Sequence, residues 1–134
     1  MRFPFTSVAA LRREACLILA AATVVIAAGP AAAGQWSGWY SLSNYRGAYL
    51  YVRYKHSGSG SSVQFRCENR TGHRIDCRYR DVEARCNNAR WIRISVGETL
   101  SNVQSGSVKH NIPWNGVCRN DGGLASVRLS TFGY

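Results

Sequence analysis

Helical periodicity is missing from this sequence. Nowhere do apolar residues recur every three or four positions over several turns, and no segment repeats another. Short runs of alternating apolar and polar residues take their place, separated by stretches rich in glycine, serine and asparagine. The chain is therefore expected to be all-β, and helical bundles and repeat arrays are excluded.

Motifs that specify an enzyme or a metal site are missing as well. No CxxC spacing occurs, no serine lies in a GxSxG sequence, and the histidines His56, His73 and His110 are far apart in the chain. We therefore predict no catalytic residue, no metal site and no cofactor. A small basic nuclease, with His73, His110 and Glu98 supplying acid and base, is the enzymatic alternative.

Lysine and acidic residues are scarce. The chain has 17 basic and 7 acidic residues, a formal charge of +10, and only Lys55 and Lys109 among the basic residues are lysines. Arginine forks onto carboxylate, phosphate and sulfate groups and stacks on rings, so this bias suggests an anionic partner. Solubility alone is the other interpretation. Arg53 and Arg80, for which the predicted strands offer no acidic partner, are the candidate anion-binding residues.

The sequence also has no apolar run long enough for a comfortable membrane span. The apolar stretch 15–28 follows three arginines, ends at Gly29 and Pro30, and precedes small residues of the kind that signal peptidase requires. Residues 1–33 are therefore predicted to be a cleaved signal peptide of bacterial type. The mature domain is 34–134, without a transmembrane segment, and is expected in the periplasm or outside the cell. Cleavage removes three arginines and one glutamate, which lowers the charge from +10 to +8.

One stretch, Ser62–Arg80, shows the clearest alternation. Its two halves read as strands joined at residues 71–73, with one apolar face each, and this predicts an antiparallel hairpin. Matching the apolar faces sets Cys67 opposite Cys77. On the polar face the same register places Arg66 diagonal to Asp76, so we expect these two charges to pair.

Four of the five cysteines remain after cleavage, an even number that suits two disulfides in an exported domain. Three pairings are open in principle. The register favours Cys67–Cys77, which leaves Cys86–Cys118.

The remaining strands are expected in four places. Alternation predicts strands at Ala48–Lys55, at Arg90–Val96 with Ile92, Ile94 and Val96 inward, and at Leu124–Tyr134, and weaker alternation predicts one edge strand within Leu100–Asn111. Loops are expected at 81–89 and 113–123, and a turn at 97–99. About seven short strands, two disulfides and about 100 residues together predict a small antiparallel β-sandwich.

An aromatic cluster opens the mature domain. Trp36, Trp39 and Tyr40 lie among serine and glycine residues. Ring faces pack well on the C–H faces of sugars, so the three are candidate carbohydrate-stacking residues; capping one end of the core is the alternative.

The run VQFRCENRTGHRIDCRYR, followed by a strand and then VGETL, resembles small secreted bacterial modules of the immunoglobulin-like and fibronectin-type-III-like kind. The resemblance extends from Tyr49 to about Asn102. It implies a sandwich fold and no shared catalytic residues. We therefore expect an exported, non-enzymatic binding module. Its partner would be an acidic polysaccharide, a lipopolysaccharide phosphate or an extracellular nucleic acid. A protein-interaction or inhibitor module is a further alternative.

Overall fold

The computed structural model describes residues 22–25, 34–87, 90–120 and 122–134. The described residues form ten β-strands and no helix, so the expectation of an all-β protein is confirmed, with more strands than the seven predicted. No helix in these ranges is long and apolar enough to cross a membrane. The strands are β1 (Ala22–Val25), β2 (Tyr40–Tyr45), β3 (Ala48–Ser57), β4 (Gly60–Asn69), β5 (Ile75–Cys86), β6 (Trp91–Val103), β7 (Val108–His110), β8 (Trp114–Val117), β9 (Leu124–Leu129) and β10 (Thr131–Gly133).

Two antiparallel sheets share these strands. In the first sheet, the long strand β5 pairs with β6 on one edge and with β9 and β10 in succession on the other, while β1 pairs with β9. In the second sheet the order is β2, β3, β4, and the free edge of β4 is shared by β8 and β7. Strand β1 falls inside the predicted signal peptide, most of which lies outside the described residues, so cleavage stays a prediction.

The core lies between the two sheets. Alternate residues of β3 and β4 point inward from the second sheet, and alternate residues of β5 meet them from the first. The rings of Phe65 on β4 and Tyr79 on β5 are 4.9 Å apart, and the edge of Trp114 meets Phe65 at 5.3 Å. This contact between strands of different sheets makes the fold sandwich-like.

Both predicted disulfides are present. Cys67 and Cys77 are bonded with Cα atoms 6.5 Å apart, and Cys86 and Cys118 with Cα atoms 5.5 Å apart. The hairpin from which the first was predicted is wrong, because β4 and β5 belong to different sheets. Cys67 and Cys77 face each other across the core, not across a ladder, and their bond joins the two sheets.

The connection from β4 to β5 depends on Asn69. This residue is fully buried, and its Nδ2 donates hydrogen bonds to the carbonyl oxygens of His73 and Val103 at 2.8 and 2.9 Å. Its Oδ1 accepts from the backbone nitrogen and the hydroxyl of Thr71. Because all of these polar groups are satisfied inside the protein, the chain can pass from one sheet to the other at this point.

Several segment boundaries differ from the prediction. Residues 81–86 continue β5, and residues 97–99 continue β6, where a loop and a turn were expected. Residues 114–117 form β8 within the predicted loop 113–123. The predicted C-terminal strand is confirmed but is broken at Ser130 into β9 and β10.

Val96 was predicted to point inward and is 63% exposed. A register shift between Val82 and Glu83 leaves one extra residue in β6, because Val82 pairs with Ser95 and Glu83 with Arg93. Such a bulge reverses the faces beyond it. Ile92 therefore packs against the core while Val96 does not.

Candidate binding face

The outer surface of the second sheet carries the most distinctive set of side chains. Leu50, Val52 and Tyr54 of β3 are buried, so the alternate residues of this strand point away from the core. The register sets these outward residues opposite outward residues of β4. The opposed pairs are Tyr49 and Glu68, Tyr51 and Arg66, Arg53 and Gln64, and Lys55 and Ser62.

The segment that precedes β2 brings two tryptophans to the same surface. Ser37 donates a backbone hydrogen bond of 2.7 Å to the carbonyl oxygen of Tyr54, and its Oγ accepts one of 3.0 Å from the nitrogen of Tyr54. Residues 34–39 therefore run beside β3 although they form no regular strand. Trp36 and Trp39 lie over the cations that β3 and β4 present.

Cations and rings alternate across this surface in a cation–aromatic stack, which we define as Lys55, Trp36, Arg53, Trp39, Arg66 and Tyr51. The ring of Trp36 lies 4.9 Å from Nζ of Lys55 and 4.5 Å from Cζ of Arg53. The ring of Trp39 lies 4.6 Å from Cζ of Arg53 and 4.7 Å from that of Arg66. Arg66 is also 4.7 Å from the Tyr51 ring. Cation–π contacts of this kind hold each guanidinium group at a fixed place on the surface.

One acidic residue accompanies the stack among the described residues of this face. Glu68 forms an ion pair of 2.9 Å with Arg70, whose Cζ lies 4.3 Å from the ring of Tyr49. Its hydrogen bond with Arg70 lowers the pKa of the Glu68 carboxyl, so Glu68 is ionised at neutral pH. The charge of Arg66 also lowers this pKa, but Glu68 forms no ion pair with Arg53 or Arg66 among the described residues.

The two arginines at the centre of the stack have no acidic partner in the described part of the chain. Arg53 donates two hydrogen bonds to Oε1 of Gln64, at 2.9 and 2.7 Å. Gln64 is itself held by a hydrogen bond from its Nε2 to the carbonyl oxygen of Asn111. Burial, followed by the charge of Arg66, lowers the pKa of Arg53. Nε of Arg66 is buried and forms no hydrogen bond within the described residues.

A histidine completes the centre of the face. His110 of β7 pairs with Arg66 in the sheet, and its ring stacks on Trp39 with 5.4 Å between centroids and 24° between planes. Partial burial lowers the pKa of His110, and the charges of Arg53 and Arg66 lower it further. His110 is therefore neutral near pH 7 in the free protein.

The structure brings together only some of the residues singled out in the sequence. Arg53, Trp36 and Trp39 meet in the stack, whereas Arg80 lies on β5 in the other sheet. Tyr40 does not belong to the stack either. It pairs with Val52 in the sheet and packs against the core, where its ring stacks on Tyr54 with 6.1 Å between centroids.

The expected pairing of Arg66 with Asp76 is wrong, because these residues lie on different sheets. Asp76 instead lies 3.7 Å from Arg78 on its own strand. Two further cations of the first sheet are matched: Arg93 lies 3.8 Å from Asp81, and Arg128 lies 2.7 Å from Glu83. Arg80 and Arg85 of β5 are exposed and have no acidic partner among the described residues. Both sheets therefore carry unpaired positive charge, and on the second sheet it is gathered in the cation–aromatic stack.

The three residues of the enzymatic alternative do not meet at one place: Glu98 and His110 line one depression, and His73 lies elsewhere. His73 lies in the 71–73 connection beside Tyr134, and Glu98 accepts hydrogen bonds from Tyr79 and Asn111. His110 stacks on Trp39 in the binding face. Among the described residues, no three histidine, cysteine or acidic side chains come together as metal ligands would.

Sequence reasoning missed most of the binding face. Lys55, Tyr51, Arg66 and His110 belong to it, and none was predicted to bind a ligand; His110 was considered only as an acid or base of the enzymatic alternative. Alternation could have predicted that these side chains point outward from β3, β4 and β7, but it could not predict which strands lie next to one another.

Comparison with protein-family models, curated proteins and solved structures gives no match, so the resemblance to immunoglobulin-like and fibronectin-type-III-like modules stays a prediction.

Proposed function

We propose that this protein is an exported binding module that holds an acidic polysaccharide on the outer face of its second sheet. One observation carries the proposal: Arg53 and Arg66 are held between aromatic rings without an acidic partner in the described chain. Two disulfides fit an oxidising compartment outside the cytoplasm, as export would require.

The chemistry of the face suits this class of ligand. A guanidinium group binds the carboxylate or sulfate of an acidic sugar through paired N–H donors. The aromatic rings between the cations are covered by them and so hold the guanidinium groups at spaced positions along the sheet surface. A row of spaced cations on one open surface suits a chain that carries an anionic group on successive sugars.

A matched pair of double variants tests the proposal. Arg53→Gln with Arg66→Gln removes two charges from the stack, and Arg78→Gln with Arg93→Gln removes two from exposed ion pairs of the other sheet. Heparin affinity is measured by isothermal titration over a salt series. Two lost charge-assisted contacts should weaken binding by about tenfold or more and reduce the salt slope by about two. The control should retain most of the affinity.

Three outcomes would contradict the proposal. Equal losses in the two double variants would mean that net charge alone attracts the polyanion. Equal affinity for heparin and for single-stranded DNA of matched charge would remove the preference for sugar. Absence of heparin binding at low salt would leave the charge as a solubility feature.

A further inference from the structure

Three basic side chains meet at one ring in the binding face. Arg53 and Arg66 lie 4.6 and 4.7 Å from Trp39, and His110 stacks on the same ring with centroids 5.4 Å apart. His110 is exposed, so solvent and ligands reach it although it is partly covered by Trp39. Of the three rings of the stack, Trp39 thus has three basic side chains beside it, Trp36 has two and Tyr51 has one over its face.

The surroundings of His110 are basic on the side of the stack. Strand β3 contributes Arg53, and β4 contributes Arg66 together with Glu68, which is already paired with Arg70. On its own strand, Lys109 donates to the carbonyl oxygen of Ser101. Beyond His110, Glu98 of β6 lines the same shallow depression, but its carboxylate accepts from Tyr79 and Asn111. Glu68 thus has a cationic partner already, whereas the two donors to Glu98 are neutral and do not cancel its charge. The pKa of His110 is nevertheless lowered, by burial and by the charges of Arg53 and Arg66.

We propose that Arg53, Arg66 and His110 form a subsite for a sulfate ester of the polysaccharide, completed when His110 takes up a proton. The inference rests on the proposed function and adds to it the kind of acidic group bound and its dependence on pH. Three basic groups around one ring suit a group with three terminal oxygens better than a carboxylate, which has two. A sulfate ester also stays fully ionised at the mildly acidic pH at which histidine gains its charge, whereas the carboxylate approaches its own pKa.

The direction of the pH dependence follows from linkage. In the free protein, partial burial and the two arginines hold the pKa of His110 below its ordinary value. A bound anion offsets the two positive charges and raises that pKa, so binding takes up a proton. Affinity for the sulfated ligand must therefore increase as pH falls from neutral towards pH 5.

The test compares His110→Phe with His73→Phe and the unaltered protein. Phenylalanine keeps a ring on Trp39 but has no charge, and His73 lies in the distant 71–73 connection. Titration with heparin at pH 7.5 and pH 5.0 should show tighter binding at the lower pH, on the order of threefold to tenfold, for the unaltered protein and for His73→Phe. The His110→Phe variant should lose most of this gain. The His110 imidazole resonance should titrate at higher pH with heparin bound than without it.

The two proposals fail in different ways. Binding that needs Arg53 and Arg66 but changes equally with pH in all three proteins would overturn the role of His110 and leave the binding face intact. Heparin affinity that stays unchanged when Arg53 and Arg66 are replaced would overturn the proposed function itself. Polygalacturonate carries carboxylates and no sulfate, so it tests the kind of anionic group. If its affinity increases between pH 7.5 and pH 5.0 as much as that of heparin, the assignment to sulfate is overturned.

Discussion

At the scale of single residues, Glu98 links the two sheets through hydrogen bonds. Its Oε1 accepts from the hydroxyl of Tyr79 at 2.7 Å and from Nδ2 of Asn111 at 3.1 Å, and Oδ1 of Asn111 accepts from the backbone of Phe65 in the second sheet. Burial and the bond to Glu98 raise the pKa of Tyr79 far above its ordinary value. Tyr79 thus stays protonated and keeps donating throughout the range in which free tyrosine ionises.

Tyr79→Phe should therefore destabilise the protein and change its response to alkali. Loss of a buried hydrogen bond to a carboxylate should lower the free energy of unfolding at pH 7 by about 1–2 kcal/mol. Because the folded pKa of Tyr79 exceeds the unfolded one, its contribution is complete below about pH 10 and is lost as pH rises beyond that value. Urea unfolding between pH 7 and pH 11 should show that the free energy of unfolding falls less steeply above pH 10 in the variant than in the unaltered protein.

Tyr134→Phe provides the control for this experiment. The Tyr134 hydroxyl is exposed and donates to the carbonyl oxygen of Arg46, so its loss should change stability by less than about 0.5 kcal/mol. A Tyr79→Phe variant as stable as this control would mean that the bond to Glu98 adds nothing.

At the scale of elements, the β3–β4 hairpin supports the binding face. Its register runs without interruption from Ala48 opposite Asn69 to Ser57 opposite Gly60, and residues 58–59 form the loop. Gly60 has a φ of +117°, a conformation that side chains rarely adopt. A Cβ there would lie 3.0 Å from the backbone of Gly116, since β8 packs closely against this end of β4.

Gly60→Ala should thus lower the free energy of unfolding by about 1–3 kcal/mol, through backbone strain and displacement of β8. Gly72→Ala is the matched control, because a Cβ at that position meets nothing within 4 Å. Chemical denaturation of both variants measures the difference. Equal stability would show that the hairpin end tolerates the added methyl group.

Alternation in the sequence identified most strands but not their partners. Val63, Phe65 and Cys67 are buried as predicted, as are Cys77 and Tyr79. Two strands show the same inward-facing apolar residues whether they pair in one hairpin or face each other from two sheets across a core. The pattern therefore could not distinguish these two arrangements. The disulfide was predicted correctly because both arrangements bring Cys67 near Cys77.

The charged segment after Arg80 was missed for a different reason. Asp81, Glu83 and Arg85 suggested a loop, but the residues between them, Val82 and Ala84, are fully buried. The alternation was present in the sequence and was obscured by the charges. The binding face was only partly predictable because it needs four segments, 36–39, β3, β4 and β7, whose proximity depends on the sheet order.

At the scale of the whole molecule, the two disulfides have different roles. The bond between Cys67 and Cys77 joins the sheets and closes a separation of 10 residues. The bond between Cys86 and Cys118 ties the end of β5 to the residue after β8 and closes a separation of 32 residues. All four cysteines lie in the core.

Removal of either bond by paired Cys→Ala substitutions should destabilise the protein. Loop-closure entropy gives losses of about 3 kcal/mol for Cys67–Cys77 and about 4 kcal/mol for Cys86–Cys118, with further loss from the cavities. Thermal unfolding should show Tm lowered by roughly 10 °C or more in each case. An unchanged Tm for the first pair would mean that the sheets hold together without their covalent link; a smaller loss for the second pair would contradict the entropic account.

The late position of β9 and β10 has a consequence for the order of folding. Both strands lie in the last eleven residues of the chain, yet they complete the edge of β5, which ends at Cys86. A ribosome or a translocation channel releases the chain from its N-terminus, so β5 emerges before the strands that pair with one of its edges. Until β9 and β10 have emerged, the backbone groups along that edge of β5 lack their strand partners, and such an unpaired edge is a template for aggregation.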